Sequence, residues 1–467
     1  MDSPTLRVGN GAGFWGDNLD APYLLARDGR LDVLTLEYLA ELTLAILSHL
    51  RARDPAAGYV GDFPELLERL GPILLEQSGL RVVTNAGGLN AQACAVKCGG
   101  TLDRIGLGRQ LLAVVEGDDV LDLVRDWSAG GVDLSHMETG GPIAEVADRL
   151  VCANAYLGAR PIAAGLQQGA RVVVTGRVAD ASLTLGPACE AFGWAWDDWP
   201  RLAGASVAGH VIECGAQATG GLWHRWDEVP GLADIGYPVA EIGRDGSCVI
   251  GKPEGSGGFV SVGTVSEQLV YEIDDPACYR TPDVDVDLTT VQLAQVGENR
   301  VSIRSADGRA PSDRLKVAAV YRDGWTASGS VAVVGRNAEA KGRAAGRLVL
   351  ERVKRAGFDL ASSLVECLGA GDVVPGVLRP TGEVFEVVLR VTVRDPNRAA
   401  VERFCREMAP LVTSGPSGIA GYATGRPAAK PAFGYWPTLV PRGMIEEGVK
   451  VTIKTASEWA VPEGRGR

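Results

Sequence analysis

The sequence predicts an α/β protein. An N-terminal open parallel sheet with helices on both faces spans residues 1–230, and a mixed α+β lobe follows over 231–467. Three observations carry this. Apolar runs alternate with amphipathic stretches at βα spacing through the first half. Glycine turns and polar residues gather where those runs end, which is where open α/β sheets hold their ligands. After about residue 230 the pattern changes to short alternating strands with hairpin turns. The length, 467 residues, calls for more than one core.

Taken in order, Leu6-Arg7-Val8 starts a strand that breaks into GNGAGFWGDN. Asp17 or Asn18 is placed to cap a helix through Tyr23 and Leu25. Gly11-Ala12-Gly13-Phe14-Trp15-Gly16 fits GxGxxG, a weak signal alone, and a plain tight turn is the competing reading. A strand–glycine–helix turn suits an anion, so Gly11 and Gly13 are candidate substrate contacts. LDVLTLEYL (31–39) reads as a strand with Glu37 near its end, running into a helix through His49. Residues 63–78 form an amphipathic helix. LRVVTNAGGLN (80–90) repeats the strand–turn pattern, with a helix from Asn90. There Asn85, Gly87 and Gly88 offer an amide and bare backbone to a carboxylate or phosphate, or simply an Asx-turn. LLAVVEGDDVL (111–121) is a strand ending in Glu116, Asp118 and Asp119. Residues 151–168 carry Asn154 and Arg160, two further binding candidates, and lead by a helix into the next strand. The strand count is low for a barrel.

In the second half, YPVAEIGRDGSCVIGK reads as a hairpin turning at Arg244-Asp245-Gly246. A glycine loop at 255–258 follows Lys252, a candidate anion clamp. VQLAQVGENRVSIRS is a hairpin around Gly297-Glu298-Asn299. LKVAAVYRDGW and SGSVAVVG are strands, 338–356 a helix, FEVVLRVTVRD a strand, 397–410 a helix, and VKVTIK a last strand.

The densest gathering of reactive side chains runs from Arg171 to Gly221. RVVVTGRVADASLTLGP delivers Arg177, Asp180 and Ser182 just past a β-branched strand. Asp180 is a candidate general acid or base tuned by Arg177, or a helix N-cap. HVIECGAQATGG supplies His210, Glu213 and Cys214. A helix puts these three on one face; a strand puts His210 and Cys214 together and turns Glu213 away. Cys214 activated by His210 is one catalytic reading, an acid–base pair another, and a small buried thiol the structural one. Gln217 and Thr219 are candidate substrate contacts. A metal site needs three or four ligands, and the one local trio of His210, Glu213 and Cys214 is a weak match, so no metal is expected there, and no cofactor is specified.

Hydrophobic residues make up 46% and charged residues 22%, as in globular proteins. The net charge of -12 and the lack of a basic run argue against nucleic acid and anionic membranes as partners. Nine scattered cysteines, with Cys94 and Cys98 in CxxxC spacing, read as reduced thiols. MDSPTLRVGN lacks the pattern of a signal peptide, and no run of ~18 apolar residues appears. The expected location is cytoplasmic.

Taken together, GAGFWGDNLDAPYLLARDGRLDVLTLEYLAELT, VVTNAGGLNAQACA, VEGDDVL, NAYLGARPI, VTGRVADASL, HVIECGAQATGG, KPEGSGG, SEQLVYEIDDPA, YRDGW and FGYWPTLVPR resemble the acyclic terpene utilisation (AtuA) family across nearly the whole chain. The resemblance implies an enzyme of carboxylic acid or acyl-CoA metabolism, of hydratase, lyase or isomerase type, in terpenoid catabolism or a specialised pathway. Family members often carry a C-terminal ferredoxin-like domain. This chain is expected to lack it, which makes a separate small ferredoxin-like subunit a candidate partner, beside a small-molecule carboxylate or acyl-CoA. A homo-oligomer is expected. The contrasting function is a non-catalytic ligand-binding or assembly subunit of a multi-enzyme acyl-CoA system.

Overall fold

Apolar runs in the first half become parallel strands of one sheet. In the computed structural model, which describes residues 5–377 and 381–460, the strands Thr5–Asn10, Val33–Leu36, Arg81–Thr84, Val172–Thr175 and Leu111–Glu116 lie side by side in that order. Each pairs with its neighbour in parallel. Val33–Leu36 and Val172–Thr175 are buried at every residue, because helices between the strands cover both faces and leave no side for alternation. The expected parallel α/β architecture is therefore present.

The change of pattern near residue 230 marks a change of strand direction, not the edge of a unit. The Val239–Gly243 strand pairs antiparallel with Thr5–Asn10. Cys248–Gly251, Arg300–Arg304 and Gln292–Gly297 extend the same sheet outward. Lys450–Thr455 closes its other edge against Leu111–Glu116, completing a 10-stranded sheet. A boundary near 230 therefore does not separate two bodies. The chain divides into one unit of residues up to Val320 plus Tyr435 onward, and another of Tyr321–Gly434.

In the larger unit, residues 63–78 form two helices, Asp62–Arg69 and Gly71–Glu76. Pro72 lacks the N–H that would continue the first helix and suits the first turn of the second. Neither Asp17 nor Asn18 caps the following helix, Ala21–Asp28, whose N-cap is Asp20. A small three-stranded sheet of Asp307–Arg309, Asp285–Asp287 and Tyr279–Arg280 also belongs to this unit.

In the smaller unit, Ser362–Leu368 pairs with Glu386–Asp395. That strand pairs in turn with the latter part of Arg314–Val334. The runs LKVAAVYRDGW and SGSVAVVG are thus one 21-residue strand. Helices Ala338–Arg355 and Arg398–Glu407 bury Val349 and Phe404 with Val331, Leu389 and Val391. Among the described residues, no helix is long and apolar enough to cross a membrane.

Candidate active site

The Val172–Thr175 strand ends at a position only glycine can fill. A Cβ on Gly176 would lie 2.3 Å from both carboxylate oxygens of Asp118. Asp118 accepts from the Arg177 backbone N–H (2.7 Å) and from Asn154 Nδ2 (2.8 Å). Burial pushes its carboxyl up to about 6. Asp118 thereby fixes the turn that projects Arg177. Asn154 is fully buried behind it and braces it, and it lines neither of the cavities described below.

The Arg177 side chain is 4% exposed. Its Nη1 donates to Asp180 Oδ1 (2.8 Å), to Glu37 Oε1 (3.4 Å) and to the Leu39 carbonyl. The guanidinium lies 4.1 Å over the Tyr156 ring. Burial would lower its pKa, but the Asp180 carboxylate above all, with Tyr156 and Glu37, outweighs that and raises it. Glu37 is pushed well above the usual carboxylate range by burial and by the charge of Asp180, despite Arg177. Asn85 holds Glu37 from behind: Nδ2 donates to Oε2 (2.5 Å), and Oδ1 accepts from the Tyr38 N–H (2.9 Å). The Asp180 carboxyl, 33% exposed, reaches outward from this buried network.

The segment HVIE is helical, the end of the helix Trp199–Glu213. Asn10, at the end of the first strand, pins that end. Its Nδ2 donates to the carbonyls of Ile212 (3.1 Å) and Glu213 (2.7 Å), satisfying acceptors that a helix C-terminus leaves open. His210 Nδ1 lies 3.0 Å from Glu213 Oε1, and Nε2 lies 3.2 Å from the Leu269 carbonyl. A carbonyl only accepts, so Nε2 carries a hydrogen. The contact between Nδ1 and Glu213 then holds a second proton that the two groups share. Burial pushes Glu213 up to about 7. Burial alone would lower His210, but the Glu213 carboxylate overrides it and raises it. Glu213 Oε2 is buried with no partner.

Cys214 follows the helix directly, where a Cβ on Gly13 would come 2.9 Å from its carbonyl carbon. Burial and the neighbouring Glu213 push its thiol up to about 12. It is a thiol at neutral pH, which argues against a nucleophile activated by His210.

Two adjoining cavities open on these groups, of about 660 Å³ and 310 Å³. Tyr156, Asp180, Glu213, Glu272 and Lys316 line both. Arg177, Cys214, Gln217 and Gly13 line the larger, and His210 the smaller. The structure thus gathers the expected Arg177, Asp180, His210, Glu213 and Cys214 around connected space. It adds Lys316 and Glu41, which sequence reasoning missed. Lys316 Nζ is 3.4 Å from Glu41 Oε1 and 4.7 Å over the Tyr156 ring. The Tyr156 hydroxyl donates to Glu41 (2.6 Å). Burial alone would raise Glu41, but that hydroxyl and Lys316 hold it down at about 2.

Other expected contacts lie elsewhere. Gly11 packs against Pro22, Gly87 against the Thr175 carbonyl, and Gly88, at φ +54°, against Leu47. The 85–88 turn therefore backs the site and does not face the crevice with residues 9–16. In the first loop the Gly13 amide donates to Asp17 Oδ2 (2.9 Å), so the chain's own carboxylate takes the place expected for an anion. Thr219 donates to the carbonyls of Ala216 and Gly236 and is buried. Arg160 sits 5.0 Å over Trp196, outside both cavities. Lys252 donates to the Ser256 carbonyl (2.5 Å) beside a separate cavity. Among the described residues, no group of three or more His, Cys, Asp or Glu is placed to hold a metal ion.

A parallel sheet with a braced arginine, ionisable groups and paired cavities beyond its carboxyl edge defines an α/β protein with its candidate site at that edge. The family model described as acyclic terpene utilisation family protein AtuA matches residues 6–451. The chain belongs to that family. No curated protein and no solved structure gives a match.

Proposed function

We propose that this protein is an enzyme acting on a small carboxylic acid or an acyl-CoA by proton transfer next to a carbonyl, as a hydratase, lyase or isomerase. The setting is terpenoid catabolism or specialised metabolism. The observation that carries the reading is the placing of Asp180 and the His210–Glu213 pair on one cavity wall. Asp180, anchored by Arg177, is the base. The pair, holding a proton exchangeable near neutral pH, is the acid that protonates the developing enolate or leaving oxygen. Lys316 stabilises charge that develops on the carbonyl oxygen.

Turnover assays of the isolated protein against short acids and their CoA thioesters test this. Asp180→Asn is expected to fold and to lose about 10²–10⁴ in kcat. A folded variant with full turnover removes Asp180 from the mechanism. The alternative, a ligand-binding or assembly subunit whose chemistry is done by a partner, predicts ligand affinity without turnover. We also propose a homo-oligomer; light scattering returning only the 49.0 kDa of one chain contradicts it.

A further inference from the structure

Charge is divided unevenly between the two cavities. Their shared wall carries Asp180, Glu213, Glu272 and Lys316. Beyond that wall the larger cavity adds the carboxyls of Asp17, Glu37 and Glu41, and among cations only Arg177, which is already ion-paired. The smaller cavity adds Arg280 and Arg314 and no further carboxyl. The rest of its lining is largely apolar, with Ile273, Pro282, Leu315 and Leu439.

Arg314 lines the smaller cavity and is held in place. Its Nη2 donates to the Leu439 carbonyl (3.0 Å), while Nε is buried without a partner. A guanidinium fixed on an apolar cavity wall matches a carboxylate attached to a short hydrocarbon body. A group bearing several phosphates would instead meet the carboxyls of Asp17, Glu37 and Glu41 in the larger cavity, where the cations Arg177 and Lys316 are already paired and like charges repel.

The geometry points to a ligand bound in one orientation: a free carboxylate in the smaller cavity against Arg314 and Arg280, its reacting carbon at the shared wall, and a neutral or cationic polar end in the larger cavity. The substrate class is then a free carboxylic acid, not its CoA thioester. The placement of the reacting carbon rests on the acid–base reading above. The orientation of the anionic end does not.

Calorimetric titration of the full chain with hexanoate, hexylamine and hexanoyl-CoA tests the orientation. Hexanoate should bind more tightly than hexylamine and at least as tightly as hexanoyl-CoA. Arg314→Gln and Arg280→Gln should each weaken hexanoate about ten- to hundredfold, the range for a charge-assisted hydrogen bond. Arg160→Gln, outside both cavities, should leave it unchanged. Arg314→Lys keeps the charge and controls for misfolding; it should restore much of the affinity lost in the glutamine variant. Absent hexanoate binding, tighter hexanoyl-CoA, or hexanoate affinity indifferent to both arginines overturns the proposal. Binding needs no turnover, so the two readings fail separately. An inactive protein with arginine-dependent hexanoate binding refutes the catalysis and keeps the orientation; an active one whose binding ignores both arginines does the reverse.

Discussion

A shared proton between His210 and Glu213 makes stability depend on pH in a fixed direction. Glu213 titrates at about 7 in the folded chain against an ordinary 4.5. The folded state therefore holds this proton more tightly than the unfolded state. Its contribution is complete below pH 4.5 and is lost as pH rises through 7. His210, also raised, acts in the same direction, and the nearby Asp180 and Glu272 carboxylates strengthen the hold on the proton. Glu213→Gln should remove most of this dependence. Urea midpoints between pH 4.5 and 8 should fall more steeply for the wild type than for the variant; parallel profiles contradict the shared proton. Asn10 should act through the same pair. Asn10→Ala removes a donor from the Ile212 carbonyl, which keeps the Cys214 N–H, and leaves the Glu213 carbonyl without its donor; it should cost about 1–3 kcal/mol of stability. Its kcat should also fall if the helix end positions the acid.

At the scale of elements, close approach of backbone decides the site's shape. Gly13→Ala forces a methyl against Cys214 at 2.9 Å, and overpacking of this kind costs about 1–3 kcal/mol. The expected result is a lowered melting temperature, together with a raised KM because Gly13 lines the larger cavity; an unchanged KM would separate this loop from the ligand. Much of the site was legible in sequence because it follows local rules. Arg177 and Asp180 sit just past a β-branched strand, and helical spacing joins His210 to Glu213. Asn85 and Gly88 were misplaced because a glycine turn at a strand end serves packing as readily as binding. Here the Asn85 amide is committed to Glu37. Lys316 could not be read, since its partner Glu41 lies 275 residues away and only the fold brings them together. YRDGW gave no sign that its strand continues into SGSVAVVG; ladder pairing with Glu386–Asp395 carries the backbone through.

At the scale of the whole molecule, the chain holds two units with cores of their own. Leu389, fully buried among Val331, Val349 and Phe404, belongs to the core of Tyr321–Gly434. Leu389→Ala should destabilise that unit by about 2–5 kcal/mol. Residues 321–434 expressed alone should unfold cooperatively in urea; a structureless spectrum contradicts an independent core. The larger unit carries the catalytic claim, and the most direct measurement of it is exchange of hydrogen next to a carbonyl. Short carboxylic acids and their CoA thioesters, incubated in D2O with the purified protein, should take up deuterium at the carbon beside the carbonyl, as read by NMR. Asp180→Asn should slow that uptake by about 10²–10⁴. Exchange at the uncatalysed rate with every acid and thioester, or wild-type exchange in a folded Asp180→Asn protein, would contradict the account.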